Sequence, residues 1–432
     1  MNEVLFLVSP NFGLLDNWLP VLTALKEKER GIAITAIFPK VETVSEMNPA
    51  EMMVQLGEVI FTKVIFKSRG GFWVTAHSLV HAKELSGKSP RANLIFGKMR
   101  TMLRLSRKAA FMKPMIDLGD AVLSYLAPIF TREKHVKLSN IGSNIKAICF
   151  DVYAKTKKEA REVLDQFPET PRFSIWHGVG ISDFKLKGGT YDEAHQSYKT
   201  TAYLLSRHEI SAYKENYGLK ESELKIVGVP RYEPEWIETV LEKSKKDIPD
   251  SWSRYLFVVS RPASDHFFPR EKKKEALGYI KKLASELRSK IVIKLRLSEY
   301  SRKDGIYEEI LGEDSYGKEW IYSSSHPFVL GKDSLFGITF YSGVAVDLLA
   351  IGVPVVQMVQ LESGGKSGYI MPYVEKGLVL GARSYEELKI NAENILHRKN
   401  ATLAPLRKAY DEFFRPIGKP ITVITNDILK TL

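Results

Sequence analysis

Ile338-Thr339-Phe340-Tyr341-Ser342-Gly343-Val344-Ala345-Val346-Asp347-Leu348-Leu349-Ala350-Ile351-Gly352-Val353-Pro354 passes from an apolar, β-branched run through two small residues into helical spacing, and leaves it at Gly-x-Pro. The reading is strand, tight loop, helix and next strand, with the loop opening at the carboxyl end of a buried parallel strand. Ligands of open α/β sheets collect beyond that end, because loops and helix N-termini converge there. Two earlier stretches share the habit: Trp176-His177-Gly178 closes the run from Arg172, and Gly228-Val229-Pro230-Arg231 closes Leu224–Val227. Chemistry-bearing residues are therefore expected at three strand ends.

Outward from this block the α/β alternation continues in both directions. Strands are expected at Tyr255–Ser260, Lys290–Leu297, Trp320–Ser323, Phe336–Tyr341 and Val353–Val359, with helices at Arg270–Arg288, Ser301–Leu311 and Gly343–Ile351. The polar, proline-broken stretch Glu242–Ser253 reads as a linker. Before it, Val4–Ser9, Ile32–Phe38, Val59–Phe66, Ile145–Val152, Arg172–Trp176, Thr201–Ser206 and Leu224–Val227 read as strands, with a helix at Asn17–Lys28 and with Gly13 and Asp16 in the turn before it. The expected fold class is α/β: two Rossmann-like lobes facing a cleft, over residues 1–245 and 254–405, then a helical tail at 406–432 whose last helix could return to the first lobe.

Composition fits a soluble, folded chain: 44% of the 432 residues are hydrophobic and 26% charged, far from the profile of disorder. Lys and Arg number 63 against 51 acids, and the excess of +12 favours anionic partners: nucleotides, phosphorylated acceptors, nucleic acid or an acidic membrane surface. Cys149 stands alone, so no internal disulfide forms and a reducing, cytoplasmic compartment is expected. The opening residues read as a first strand, not as a secretory signal, and no apolar stretch approaches the ~20 residues that span a bilayer. Lys83–Lys113 carries nine cations against Glu84 alone, interleaved with Leu94, Ile95, Phe96, Met99, Met102, Leu103 and Leu105. Such a basic amphipathic insert either packs on its own lobe with a solvated face or meets an anionic membrane or acceptor.

Each strand-end stretch carries a functional and a structural reading. His177, at a strand end and followed by small residues, has the side chain whose pKa suits a general base. Arg231 offers a planar fork for phosphate after a bend set by Gly228 and Pro230. Ser342 and Gly343 leave room for a phosphate at a helix start. Asp347, one turn on, either accepts from a ribose hydroxyl or faces solvent. Lys294 and Arg296 share a strand face, and either they or His326-Pro327 could meet a diphosphate.

Other patterns fail. Gly364-Gly365-Lys366-Ser367 has Gln360 where a P-loop needs its first glycine, and His77 and His81 lack the intervening glutamate of the metalloprotease motif. No Asp-x-Asp occurs, which disfavours a transferase that holds a metal on a nucleotide diphosphate.

Together, Trp176-His177-Gly178 with Lys185 downstream, Ser206 with Tyr213 and Tyr217-Gly218 beyond it, Gly228-Val229-Pro230-Arg231 and the block from Ser342 to Pro354 resemble the catalytic half of CDP-glycerol glycerophosphotransferases. These are teichoic-acid-type polymerases related to the GT-B glycosyltransferases of surface-polysaccharide synthesis. The resemblance covers roughly residues 172–359 and implies an inverting, metal-independent transferase with no cofactor. It would move a glycosyl or polyol-phosphate group from a CMP-, CDP- or UDP-linked donor to a polysaccharide or lipid-linked acceptor, in the cytoplasm or at the cytoplasmic face of an anionic membrane. By the same resemblance His177 is the base. The family's arginine matches Arg231 and its late helix start Ser342-Gly343, both expected on the donor; Lys294 and Arg296, which replace the family's Arg-x-His-Pro segment, and His326 and Asp347 are expected there from their own positions, with Gly13, Asp16 and Gly178 on the acceptor. Non-hydrolysing UDP-sugar 2-epimerases share the two-lobe architecture and are the alternative enzyme. A non-catalytic binder of anionic polymer is the alternative of another class, though no pattern for nucleic acid supports it.

Overall fold

The computed structural model describes residues 2–8, 12–39, 51–67, 73–79, 81–82, 85, 135–136, 141, 144–151, 158–176, 178, 200–263, 268–296, 299, 305–359, 372–414 and 418–432. Among them the first lobe is a nine-stranded sheet of β1 (Glu3–Leu7), β2 (Ala33–Phe38), β3 (Lys63–Lys67), β4 (Trp73–Ala76), β5 (His135–Val136), β6 (Ile145–Phe150), β7 (Arg172–Ile175), β8 (Thr200–Leu204) and β9 (Leu224–Ile226). Their spatial order is β5-β4-β3-β2-β1-β6-β7-β8-β9, parallel except where β4 meets β3 and β5. Helices α1 (Phe12–Lys28), α2 (Glu51–Ile60), α3 (Lys158–Leu164) and α4 (Ile210–Tyr217) lie between these strands, and α5 (Pro234–Lys243) follows β9.

Continuous apolar runs such as Val4-Leu5-Phe6-Leu7 fit a sheet covered on both faces. Val4 and Phe6 pack with Trp18, Leu19 and Leu22 of α1, while Leu5 and Leu7 pack with Ile148 and with Val163 and Leu164 of α3.

The second lobe is a six-stranded parallel sheet: β10 (Tyr255–Val259), β11 (Ile291–Lys294), β12 (Trp320–Tyr322), β13 (Ser334–Thr339), β14 (Val355–Met358) and β15 (Leu380–Ala382), in the order β12-β11-β10-β13-β14-β15. Its helices are α6 (Arg270–Glu286), α7 (Ile306–Leu311), α8 (Pro327–Lys332), α9 (Val344–Ala350) and α10 (Tyr385–His397). Strand order reverses between β10 and β13, which makes the gap between their carboxyl ends a topological switch point. After α11 (Lys399–Phe414), the last helix, α12 (Pro420–Leu429), lies back on the first lobe. There Lys28 Nζ donates to Asn426 Oδ1 at 2.9 Å, and Tyr203 OH donates to Asp427 Oδ2 at 3.1 Å.

Some boundaries differ from expectation. Gly13 and Asp16 lie inside α1 and not in a turn before it. Val59 and Ile60 end α2, and β3 starts only at Lys63; Val59 is exposed, as the outer face of a helix allows. Toward the tail, expected to be mostly helical from Glu386, helices run over Tyr385–His397 and Lys399–Phe414. Strands β4, β5 and β15 have no counterpart in the sequence reading. Apart from Leu85, the basic stretch 83–113 lies outside the described residues, as do Lys185 and Gly364-Gly365-Lys366-Ser367. No helix among the described residues is long and apolar enough to cross a membrane.

Candidate active site

The carboxyl edges of the two sheets meet, and Arg231 is the principal link. It sits in a 3-10 turn, Pro230–Tyr232, that follows β9; Pro230 pre-sets the first residue of that turn, and Gly228 takes the positive φ (91°) that leads into it. From there the guanidinium, 4% exposed, reaches across to α9. Arg231 Nη2 donates to Asp347 Oδ1 at 2.8 Å, and Nη1 lies 3.6 Å from Asp16 Oδ2 of α1. Tyr232 OH donates to the same Asp347 oxygen at 2.6 Å.

A second link comes from the other lobe. His326, the N-cap of α8, accepts from Phe328 N–H through Nδ1 at 3.2 Å. That leaves Nε2 to carry the proton, 3.3 Å from Asp16 Oδ2. One carboxylate in α1 thus binds both a first-lobe arginine and a second-lobe histidine.

Two acids sharing one buried guanidinium titrate in opposite directions. Burial alone would raise Asp16, but His326 and Arg231 bring it below the usual carboxylate range. Burial raises the Asp347 carboxyl, with Arg231 opposing and Asp16 adding to the rise. Arg231 is disfavoured as a cation by burial, yet Asp347 and its other neighbours hold it charged above its ordinary value. Among the described residues, Asp16 Oδ1, Asn17 Oδ1 and Arg231 Nε are buried without a hydrogen-bond partner. Asn17 Nδ2 donates to Trp176 O at 2.9 Å, which ties the start of α1 to the end of β7.

The remaining candidates fall as follows. His177 lies outside the described residues, between Trp176 and Gly178, which close β7. Gly178 lies against the Trp176 ring: a Cβ there would be 3.5 Å from the indole. Gly13 falls in the first turn of α1. Lys294, half-buried at the end of β11, donates to Ser324 O at 3.0 Å and Ser325 O at 2.7 Å, and burial brings its ammonium down to about 8. Those serines also hold Asp247 of the connecting stretch, which accepts from Ser324 N–H at 2.7 Å and Ser324 Oγ at 2.6 Å. Arg296 is exposed and lies two residues past the end of β11, so only Lys294 of the two is within the strand. Ser342 is half-buried and accepts from Val344 N–H at 3.3 Å. Gly343 has an ordinary helical φ of −61°.

Arg231 and Asp347, each expected on the donor, bind each other here, and Asp347 is buried and does not face solvent. Their positions at strand and helix ends were readable, but a pair 116 residues apart leaves no local trace.

Two features at the switch point had no sequence reading. Tyr341, between β13 and α9, has φ of +54°, and Arg261, just past β10, donates from Nη1 to Tyr341 O at 2.7 Å. A non-glycine residue in the left-handed region costs roughly 1–3 kcal/mol and persists where its surroundings enforce it, often at sites. The only signal for Arg261 was its place one residue after an apolar strand. Among the described residues no group of three or more His, Cys, Asp and Glu is placed to hold a metal ion.

No protein-family model matches the chain, and no curated protein matches it in sequence. Solved structures do. The wall teichoic acid polymerase TagF aligns with a TM-score of 0.55 at 12% identity, over 99% of this chain and 88% of that chain, and TagF has also been solved after a CDPG soak. A MnaA–UDP structure from S. aureus aligns at 0.53 and 12% identity, over 100% and 98%. A UDP-GlcNAc 2-epimerase of Neisseria meningitidis bound to UDP-GlcNAc aligns at 0.50 and 13% identity, over all of both chains. The chain therefore has the two-lobe GT-B type of fold, which TagF and the 2-epimerases share.

Proposed function

We propose that this protein is an inverting, metal-independent transferase that moves a glycosyl or polyol-phosphate group from a CMP-, CDP- or UDP-linked donor to a cell-surface polysaccharide or glycolipid acceptor. The observation that carries the reading is the joining of the two sheets' carboxyl edges through Arg231, Asp347, Asp16 and His326. That arrangement places two loop sets around one gap, as a two-substrate reaction needs.

The nucleotide would lie on the second lobe at the switch point, against Arg261, Arg296 and the Ser342 loop, where cations stabilise the charge left on the departing phosphate. The acceptor would lie on the first lobe, near Gly178 and the unpartnered oxygens of Asp16 and Asn17. Its hydroxyl oxygen attacks the transferred carbon or phosphorus, the bond to the nucleotide phosphate breaks with its electron pair, and His177 takes the hydroxyl proton. Arg231, Asp347 and His326 would fix the angle between the lobes. The basic stretch 83–113 would draw the protein to the cytoplasmic face of an anionic membrane that presents the acceptor.

That three like-folded structures are solved with UDP, UDP-GlcNAc or CDPG supports a nucleotide ligand, and their fold alone favours epimerase and transferase equally. The test is thermal shift with CMP, CDP, UDP and their sugars, followed by turnover of the stabilising donor. Stabilisation by one nucleotide and loss of turnover in His177→Ala, with nucleotide affinity retained, is the expected result. Full activity in that variant would reject the base. Interconversion of a UDP-sugar without acceptor would make the protein an epimerase. A flat nucleotide response with salt-steep binding to anionic polymer would make it a binder.

A further inference from the structure

Glu299 and Lys273 form a buried ion pair behind the second lobe's cleft edge, apart from the links between lobes. Lys273, on α6, is wholly buried and Glu299 is 7% exposed; Nζ to Oε1 is 3.0 Å. The same Oε1 accepts from Ser260 Oγ at 2.6 Å, and Ser260 is the first residue past β10. Oε2 accepts from Arg296 N–H at 2.9 Å, just past β11. The Glu299 N–H returns the bond to Arg296 O at 2.8 Å. Tyr307 of α7 completes the cluster: its hydroxyl donates to Ser260 Oγ, and its ring lies 4.5 Å from the Lys273 ammonium.

One carboxylate therefore fixes the loops after two adjacent strands. Ser260 precedes Arg261, and Arg296 is itself held at its backbone. Stability is a weak explanation for such a pair, because a buried ion pair often does no better than apolar side chains of the same volume. What it supplies is geometry, since an apolar substitute could not hold a backbone N–H and a serine hydroxyl at once.

We propose that Glu299, with Lys273, is a positioning residue that pre-sets Arg261 and Arg296 for the phosphates of the nucleotide. This rests on the reading of the second lobe as the nucleotide site.

The experiment is a double-mutant cycle on nucleotide affinity in the full chain, titrating UDP and CDP into the wild type, Glu299→Gln, Arg296→Gln and the double variant. Glu299→Gln should weaken the nucleotide that the wild type binds by roughly tenfold, and in the Arg296→Gln background, where only Arg261 is left to be held, the same change should cost clearly less, about threefold. Losses that simply multiply, or unchanged affinity in Glu299→Gln, would overturn the proposal. Should Glu299→Gln not fold, the pair Lys273→Met with Glu299→Gln removes both charges at similar volume and runs in the same cycle. A wild type that binds neither nucleotide overturns the inference together with the reading beneath it, whereas binding with additive losses overturns the inference alone.

Discussion

Arg231 is where one side chain touches both lobes. Its guanidinium faces Asp347 and Asp16, on two helices from different sheets, and Tyr232 beside it donates to Asp347. Arginine suits the position because its fork serves two acceptors at fixed angles and its charge survives burial. Truncating it would strand two buried carboxylates, and breaking a buried ion pair from one side costs about 3–5 kcal/mol. Arg231→Met should therefore lower stability by about that amount in urea unfolding at pH 7. Adding Asp347→Asn should recover part of the loss, because Tyr232 can still donate to the amide oxygen. A loss below ~1 kcal/mol in the single variant would mean that the pair does not hold the lobes. Tyr341 belongs at this scale as well: its left-handed backbone is clamped by Arg261, so the strained residue marks the same switch point from the opposite side.

At the scale of elements, α9 delivers Asp347 because it can lie unusually close to its own sheet. A Cβ on Gly337 of β13 would come within 2.3 Å of Leu348 Cδ1, and one on Gly331 of α8 within 2.4 Å of Leu348 Cδ2. These two glycines are thus the seat of the helix. Gly337→Ala should push α9 away and destabilise the chain by about 1–3 kcal/mol, the range for overpacked cores. Denaturation midpoints would check it, and a neutral result would show that Leu348 can repack without moving the helix. The same elements explain what the sequence disclosed. Strands such as β10 and β13, buried on both faces, announce themselves as unbroken apolar runs. Strand β5, of two residues, is too short to carry a period, and the three residues of β15 include Gly381 and so give no apolar run. Val59 and Ile60 were read as the start of a strand for another reason: two apolar residues fit a helix end as well as a strand start, and the exposure of Val59 marks the helix. The site was legible to a similar depth. Position relative to strand ends singled out Arg231, Asp347, His326 and Asp16, whereas their pairing depends on how two separately folded sheets dock, which no local spacing encodes.

For the whole molecule, docking is enforced by a chain that crosses between the lobes twice. The first crossing is the stretch before β10, where Asp247 is held by Ser323, Ser324 and Ser325 at the end of β12. The second runs through α10 and α11 into α12, whose Ile424 and Ile428 are fully buried in an apolar cluster shared by both lobes. That cluster includes Trp18 of α1, Tyr232 and Trp236 beside the Arg231 turn, and Phe328, Phe413 and Phe414. Apolar packing thus joins the lobes over a wide area, and the Arg231 network adds ion pairs between them. Removing residues 418–432 would strip Ile424 and Ile428 from α1, each worth roughly 1.5–3 kcal/mol of burial, and would free Tyr203 and Lys225 from Asp427. The truncated chain should melt first in its first lobe, giving two calorimetric transitions where the full chain gives one. A single transition at the original temperature would show that α12 only rests on the first lobe, and the lobes would then depend on the Arg231 network and the linker for their alignment.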